Sequence, residues 1–138
     1  GRIILMKDED KKGEGLFVFV SHDLIDFDLL KGEVDKLDLD HSIKFKLVPP
    51  IIHVACKTIE DARELYDKAK LVGWKKSGLI SFDKNYVLEI NASEKLEFPV
   101  VNGGKLLIGD DFLKEVVEQS NKKLEKGWKK IGELVKIV

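Results

Sequence analysis

Cysteine occurs once in the chain, at Cys56, methionine once, at Met6, and glutamine once, at Gln119. A lone cysteine excludes an internal disulfide and a cysteine-based zinc cluster, and it suits the reducing cytoplasm. No apolar run approaches the roughly 18 residues that a membrane-spanning helix needs, and no signal peptide is visible. Charge of one sign is missing too: 24 Lys and Arg stand against 25 Asp and Glu, for a net charge of −1. The molecule therefore has no overall field to draw in nucleic acid, and any RNA contact must come from a local patch. Phosphate-loop and dinucleotide fingerprints are absent. Neither Gly13-Glu14-Gly15 nor Asn102-Gly103-Gly104 extends to a G-x-G-x-x-G between a strand and a helix.

What is present is a core and many charges. Hydrophobic residues make up 43% of the 138 residues and charged residues 36%, which is too apolar for a disordered chain and fits one domain. The charged excess is in Lys and Glu, and with few thermolabile residues this composition leans toward heat adaptation. The first residue is Gly1, already in what reads as a strand, so we expect residues to precede it.

The pattern along the chain reads as α+β. Residues Arg2 to Met6 and Leu16 to Val20 are apolar and branched, joined by a polar turn over Lys7 to Glu14, and read as two strands. Ser21 then offers a helix cap, and Asp23 to Leu39 reads as a short helix broken near Gly32. Ser42 to Leu47 alternates, with Ile43, Phe45 and Leu47 on one face and Lys44 and Lys46 on the other. Pro49-Pro50 ends that strand, and the nearly continuous apolar run Ile51 to Cys56 predicts a central strand buried on both faces. Thr58 to Val72 is the clearest helix: Thr58 caps it, Ile59, Ala62, Leu65, Tyr66, Ala69 and Val72 form a stripe, and Gly73 ends it. Leu79 to Phe82 and Tyr86 to Ile90 predict a hairpin, and Leu96 to Val101 with Lys105 to Ile108 predict a second strand pair. The last helix opens at Asp110, with Phe112, Leu113, Val116, Val117, Ser120, Leu124, Trp128, Ile131 and Val135 on one face. It should bend or fray at Gly127 and Gly132. The result is a single domain with a mixed sheet and two principal helices.

Several residues carry chemistry. His53 is the one titratable group in the Ile51 to Cys56 run. It is either a core histidine bonded to a backbone carbonyl or a functional group in a cleft. His22, in Ser21-His22-Asp23, stands where a strand ends, a position suited to function but equally to helix capping. His41 beside Asp40 reads as loop polarity. Asp23, Asp26 and Asp28 lack the spacing of a calcium loop and read as a solvated acidic face, so no metal is expected. Cys56 reads as a small buried hydrophobe. Glu97, between Leu96 and Phe98, is a surface carboxylate or a ligand for an amine or a base edge. Ser120 to Val138 holds six Lys and two Glu around Trp128, the composition of a phosphate contact surface or of a solvated face.

Taken in order, Ser21-His22-Asp23, Pro50-Ile51-Ile52-His53-Val54-Ala55-Cys56-Lys57, Glu60-Asp61-Ala62, Gly73, Ser77-Gly78, Ser93, Leu96-Glu97, Pro99 and Asn121-Lys122 resemble the wybutosine-synthesising protein three family and its archaeal members. The resemblance covers nearly the whole chain. The family has a Ser- and Cys-rich stretch running into a Gly-Arg pair, of which Gly1-Arg2 remains, so the resemblance implies that this segment is missing from the start. Where the family has an Arg before the step at Ser93, this chain has Asn91-Ala92, which cannot offer a carboxylate or phosphate the bidentate fork of a guanidinium.

The resemblance implies a tRNA methyltransferase acting in the cytoplasm. The cofactor would be S-adenosylmethionine and the target N-4 of the tricyclic wybutosine precursor beside the anticodon of phenylalanine tRNA. It points to His53 and His22 as catalytic, and to Arg2, Ser21, Ser77, Glu97 and Asn121 as cofactor- or substrate-binding. The Lys122, Lys123, Lys126, Lys129 and Lys130 cluster is the expected tRNA contact. Two other classes stay open. The β-α-β-β pattern from Ile51 to Ile90 is the half-pattern of ferredoxin-like modules that bind amino acids, and the chain could also be a catalytically inactive RNA-binding relative.

Overall fold

The computed structural model describes residues 1–10 and 15–138. Residues 11–14, within the polar turn expected over Lys7 to Glu14, lie outside the described residues. The elements are β1 (Arg2–Lys7), β2 (Phe17–Ser21), α1 (Phe27–Asp35), β3 (Ile43–Val48), β4 (Ile51–Cys56), α2 (Ile59–Leu71), β5 (Gly78–Ser81), β6 (Tyr86–Asn91), β7 (Leu96–Asn102), β8 (Lys105–Leu106) and α3 (Asp110–Ile137). They fall into two compact units, Gly1–Val48 with Lys95–Leu124, and Pro49–Glu94 with Glu125–Val138. The α+β class is as expected. In place of one mixed sheet the described residues form two sheets, and the pairings within each are antiparallel.

In the first unit the sheet order is β2-β1-β3-β7-β8. The alternation of β3 acts as its spacing predicts: Ile43, Phe45 and Leu47 are buried and Lys44 and Lys46 are not. They join Ile3, Leu5, Leu30, Val34, Val100, Val101, Leu113 and Val116 in one core. Phe45 stacks on Phe98 with centroids 4.8 Å apart and rings 12° from parallel, an aromatic pair within that core. Helix α1 is continuous through Gly32, since it is capped by Asp26, whose carboxylate accepts from Leu29 N at 2.8 Å. The cap is thus Asp26. Ser21 belongs to β2, and its hydroxyl closes a local turn with Asp23 instead.

In the second unit β4 and β5 run the same way with β6 antiparallel between them, and α2 connects β4 to β5, a split β-α-β arrangement. Thr58 caps α2 by accepting from Asp61 N at 3.1 Å, and Gly73 follows at φ +94° as the left-handed residue that ends it. Trp74, Ala69, Leu88, Ile90, Ala92 and Leu134 form the core. The run Ile51 to Cys56 is an edge strand, not a central one. Ile52, Val54 and Cys56 turn inward, while Ile51, His53 and Ala55 are exposed. A continuous apolar run reads as two-sided burial, but here one side is solvent-facing.

Helix α3 buries Leu113, Val116, Ser120, Leu124 and Leu134 along its length. Trp128 and Val135, placed on its apolar stripe by periodicity, are 42% and 71% exposed. The buried line passes through Gly127 instead, where an added Cβ would lie 3.3 Å from Pro50 Cδ, so the glycine permits close packing on the proline ring. No helix among the described residues is long and apolar enough to cross a membrane.

Candidate functional site

Within the second unit, the outward face of the sheet carries the most organised polar group. The register places His53 opposite Glu89 and Glu89 opposite Gly78, so the Pro50–His53 and Ser77-Gly78 segments meet across β6. His53 Nε2 and Glu89 Oε2 are 2.9 Å apart, with the histidine side chain 55% exposed and the carboxylate 31%. The strand β6 supplies Glu89 to the same face because its alternation sends Leu88 and Ile90 into the core. Gly78 presents no side chain, and nothing lies within 4 Å of where its Cβ would be, so that flank of Glu89 is open. His53 is therefore neither a core histidine nor a group enclosed in an apolar cleft. It is a solvent-accessible imidazole oriented by a carboxylate.

Beside this pair, Asn91 stands two residues along the same face, opposite Ile51. Its Oδ1 is buried and has no donor among the described residues. Ser77 is structural in its contacts. Its hydroxyl donates to Trp74 O at 2.9 Å and accepts from Asn91 N at 3.3 Å, fastening the start of β5 to the end of β6. The other sheet face, with α2, borders an apolar cavity of about 290 Å³ lined by Ile59, Ala62, Arg63, Tyr66, Leu79 and Leu88.

A second polar cluster in this unit centres on Glu94. Lys130 Nζ donates to Glu94 Oε1 at 2.5 Å and to Gly73 O at 3.0 Å, and Lys126 Nζ lies 3.6 Å from the same carboxylate oxygen. Burial alone would push the Glu94 carboxyl up, but the Lys130 hydrogen bond, a backbone hydrogen bond and the charges of Lys130 and Lys126 together hold it below its ordinary value. Lys130 is 8% exposed and committed to these partners, which corrects its placement in the tRNA-contacting cluster. Its fourth methylene turns inward beside Gly73 because the buried line of α3 includes position 130. Lys126 and Lys129 remain on the surface of this unit, Lys129 within 4.0 Å of Glu133.

In the first unit, Arg2, Ser21 and His22 come together where β1 and β2 pair, Ile3 facing Ser21. The Arg2 guanidinium sits 5.3 Å from the Phe17 ring centroid, a cation–π arrangement, and His22 Nδ1 lies 3.3 Å from Gly1 O. Asn121 spans the backbone of Ile25, accepting from its N–H at 3.0 Å and donating to its carbonyl at 2.7 Å. Both amide atoms are thereby used, and Asn121 acts as a clamp on the loop ahead of α1. Glu97 is exposed and pairs with Lys44 at 3.4 Å. Burial would lower the Lys44 ammonium pKa, but Asp8 and Glu97 raise it above its ordinary value. Lys122 is exposed and within 3.1 Å of Glu118, and Lys123 is half-buried. Among the described residues no group of three or more His, Cys, Asp or Glu side chains is placed to hold a metal ion.

The family model described as Methyltransferase TYW3 matches residues 1–138. The chain belongs to this family. Within it, the chain is 46% identical over 86 residues to a protein of Archaeoglobus fulgidus named tRNA(Phe) 7-((3-amino-3-carboxypropyl)-4-demethylwyosine(37)-N(4))-methyltransferase, covering 62% of this chain and 43% of that one. It is 34% identical over 91 residues to the Thermococcus sibiricus protein of the same name, covering 65% of this chain and 46% of the relative. A tRNA wybutosine-synthesizing protein 3 homolog of Xenopus laevis aligns over 95% of this chain at 27% identity, with 54% of that protein covered. The chain thus spans about half the length of the curated relatives it matches. Among solved structures, the PH1069 protein from Pyrococcus horikoshii superposes with a TM-score of 0.86 at 25% identity, over 96% of this chain and 68% of that one. A hypothetical protein from Aeropyrum pernix reaches a TM-score of 0.80 at 26% identity, covering 97% and 78%. A methyltransferase family implies a methyl donor.

Three features of the site lay outside the sequence reading: Glu89 as the partner of His53, the unpaired Asn91 Oδ1, and the capture of Lys130 by Glu94. Only the first had a signal in the sequence, since pairing Ile51–Cys56 against Tyr86–Asn91 in antiparallel register brings position 89 opposite position 53.

Proposed function

We propose that the chain transfers a methyl group from S-adenosylmethionine to N-4 of the tricyclic wybutosine precursor next to the anticodon of phenylalanine tRNA, in the cytoplasm. Family membership and the names of the relatives support the reaction. The observation that carries it onto residues is the His53–Glu89 pair on an open sheet face. With Nε2–H donating to Glu89, His53 Nδ1 keeps its lone pair and can accept the proton that the attacking ring nitrogen must lose. Glu89 holds the tautomer and the ring orientation, a base-plus-orienter arrangement in which a positioned imidazole contributes about 10²–10⁴-fold. The open flank at Gly78 gives a flat base room to approach, and an anticodon-loop base can be splayed out to reach it.

The residues present fit the donor. The candidate acceptor for the adenosyl group is Asn91 Oδ1, which lies on the face of His53, is buried and has no partner among the described residues, so a side-chain rotation would be needed to present it. When bound, S-adenosylmethionine would supply an electrophilic methyl carbon, and holding it beside the ring nitrogen would do most of the remaining work. Arg2, Ser21 and His22 in the first unit supply a cation, a hydroxyl and an imidazole that suit a carboxylate or phosphate of the substrates, His22 serving as the second proton-transfer candidate. Glu97 offers an exposed carboxylate to an amine or a base edge. Exposed Lys122 and Lys129, with Lys123, serve the RNA phosphates.

The test is mass spectrometry of phenylalanine tRNA carrying the precursor, incubated with the protein and a methyl-labelled donor. Label on N-4 is the expected result. A folded protein that binds this tRNA yet leaves it unlabelled is the inactive relative instead.

A further inference from the structure

The Glu94 cluster does more than join two elements. Its carboxylate is 7% exposed, and one oxygen, Oε1, receives both Lys130 and Lys126. The other, Oε2, is buried and receives no donor from any other of the described residues. A purely structural pair would divide its donors between the two oxygens, because an unmet buried acceptor is costly. Lys130 is buried and also bonded to Gly73 O, whereas the Lys126 side chain is 63% exposed. Counting one carboxylate and two ammonium groups, the cluster carries one positive charge in excess, and its surface member is the lysine. The site therefore offers an unsatisfied anionic acceptor beside a solvent-facing cation. That is the complement of a zwitterion with an ammonium and a carboxylate on one carbon.

We propose that Glu94 Oε2 and Lys126 Nζ form a subsite for an α-amino-acid group, Glu94 receiving its ammonium and Lys126 its carboxylate. This rests on the methyl-transfer reading for the choice of ligand, since two reactants there end in such a group. One is the donor, and the other is a base bearing the 3-amino-3-carboxypropyl chain named for the relatives. The geometry is common to both.

The test uses the full chain labelled with ¹³C in its glutamate carboxyls. S-adenosylhomocysteine is compared with 5′-methylthioadenosine, which lacks the amino-acid end. Precursor tRNA with the amino-carboxypropyl chain is compared with tRNA lacking it. Displacement of the Glu94 carboxyl signal by only the first member of a pair, with Lys126→Met weakening that ligand roughly 10- to 100-fold and sparing its truncated partner, is expected, and the pair that responds names the source. If neither pair discriminates, or Lys126→Met changes nothing, the subsite is wrong. Its fate is separable from that of the reaction: a displaced Glu94 signal without methyl incorporation sinks the reaction alone, and incorporation with an unmoved signal sinks the subsite alone.

Discussion

Lys130 and Glu94 are both more than nine-tenths buried, and the lysine ammonium is bonded to the carboxylate and to Gly73 O together. Removing one partner of such a pair strands the other charge. Lys130→Met should destabilise the protein by about 3–5 kcal/mol, read from urea unfolding at neutral pH. The pair also carries a pH signature. Folding lowers the Glu94 carboxyl pKa, so its contribution is present above the unfolded value of about 4.3 and is lost as pH falls below it toward the folded value. A stability profile that declines below about pH 4.5 is expected in the native protein. The part of that decline due to Glu94 should vanish in Lys130→Met, and an unaltered acid limb would count against the assignment.

Glu89 tests whether His53 works alone. Single-turnover methylation, normalised to folded protein, should fall about a hundredfold or more in His53→Ala. In Glu89→Gln the imidazole keeps a neighbour able to hydrogen-bond but loses its anionic orienter, and a smaller loss of about tenfold is expected, with an altered pH–rate profile. Both side chains are substantially exposed, so neither change should move the melting temperature far. A fully active His53→Ala would transfer the role of base to His22.

The surface lysines predict a salt effect that Lys130 does not share. Neutralising Lys122, Lys123 and Lys129 together should reduce the slope of log affinity for tRNA against log salt by about 0.7–0.9 for each phosphate left without its lysine. Lys130→Met, compared at a temperature where it is folded, should leave the slope unchanged, since its ammonium is turned inward to Glu94. Filter binding over a range of salt decides between them.

Asn121 predicts a stability effect in place of a ligand effect. Asn121→Ala abandons the N–H and the carbonyl of Ile25 in a half-buried loop, and a loss of about 1–3 kcal/mol is expected from chemical denaturation. Asn121→Asp should recover part of it, because a carboxylate can still accept from Ile25 N while the donor to Ile25 O is gone. Equal losses in both variants would dismiss the two-bond clamp.

Local physics made much of this protein legible from its sequence. The alternation of Ile43, Phe45 and Leu47, the Thr58 cap with Gly73 at the far end, and the hairpin expected from Leu79 to Ile90 all depend on neighbours within a few residues, and the elements form where these signals stand. The ordered motifs around His22, His53 and Ser77 likewise carried the family. Tertiary packing decided what those signals do not encode. Whether an apolar run is central or at an edge depends on which strand lies beside it, so Ile51–Cys56 became an edge and His53 came to face solvent. Whether a lysine meets water or a carboxylate depends on a residue 36 positions away, so Lys130 left the basic surface for Glu94. Periodicity is a property of one segment, whereas burial and pairing are properties of two brought together, and the chemistry proposed for His53 with Glu89 and for Glu94 with Lys126 arises only from the second.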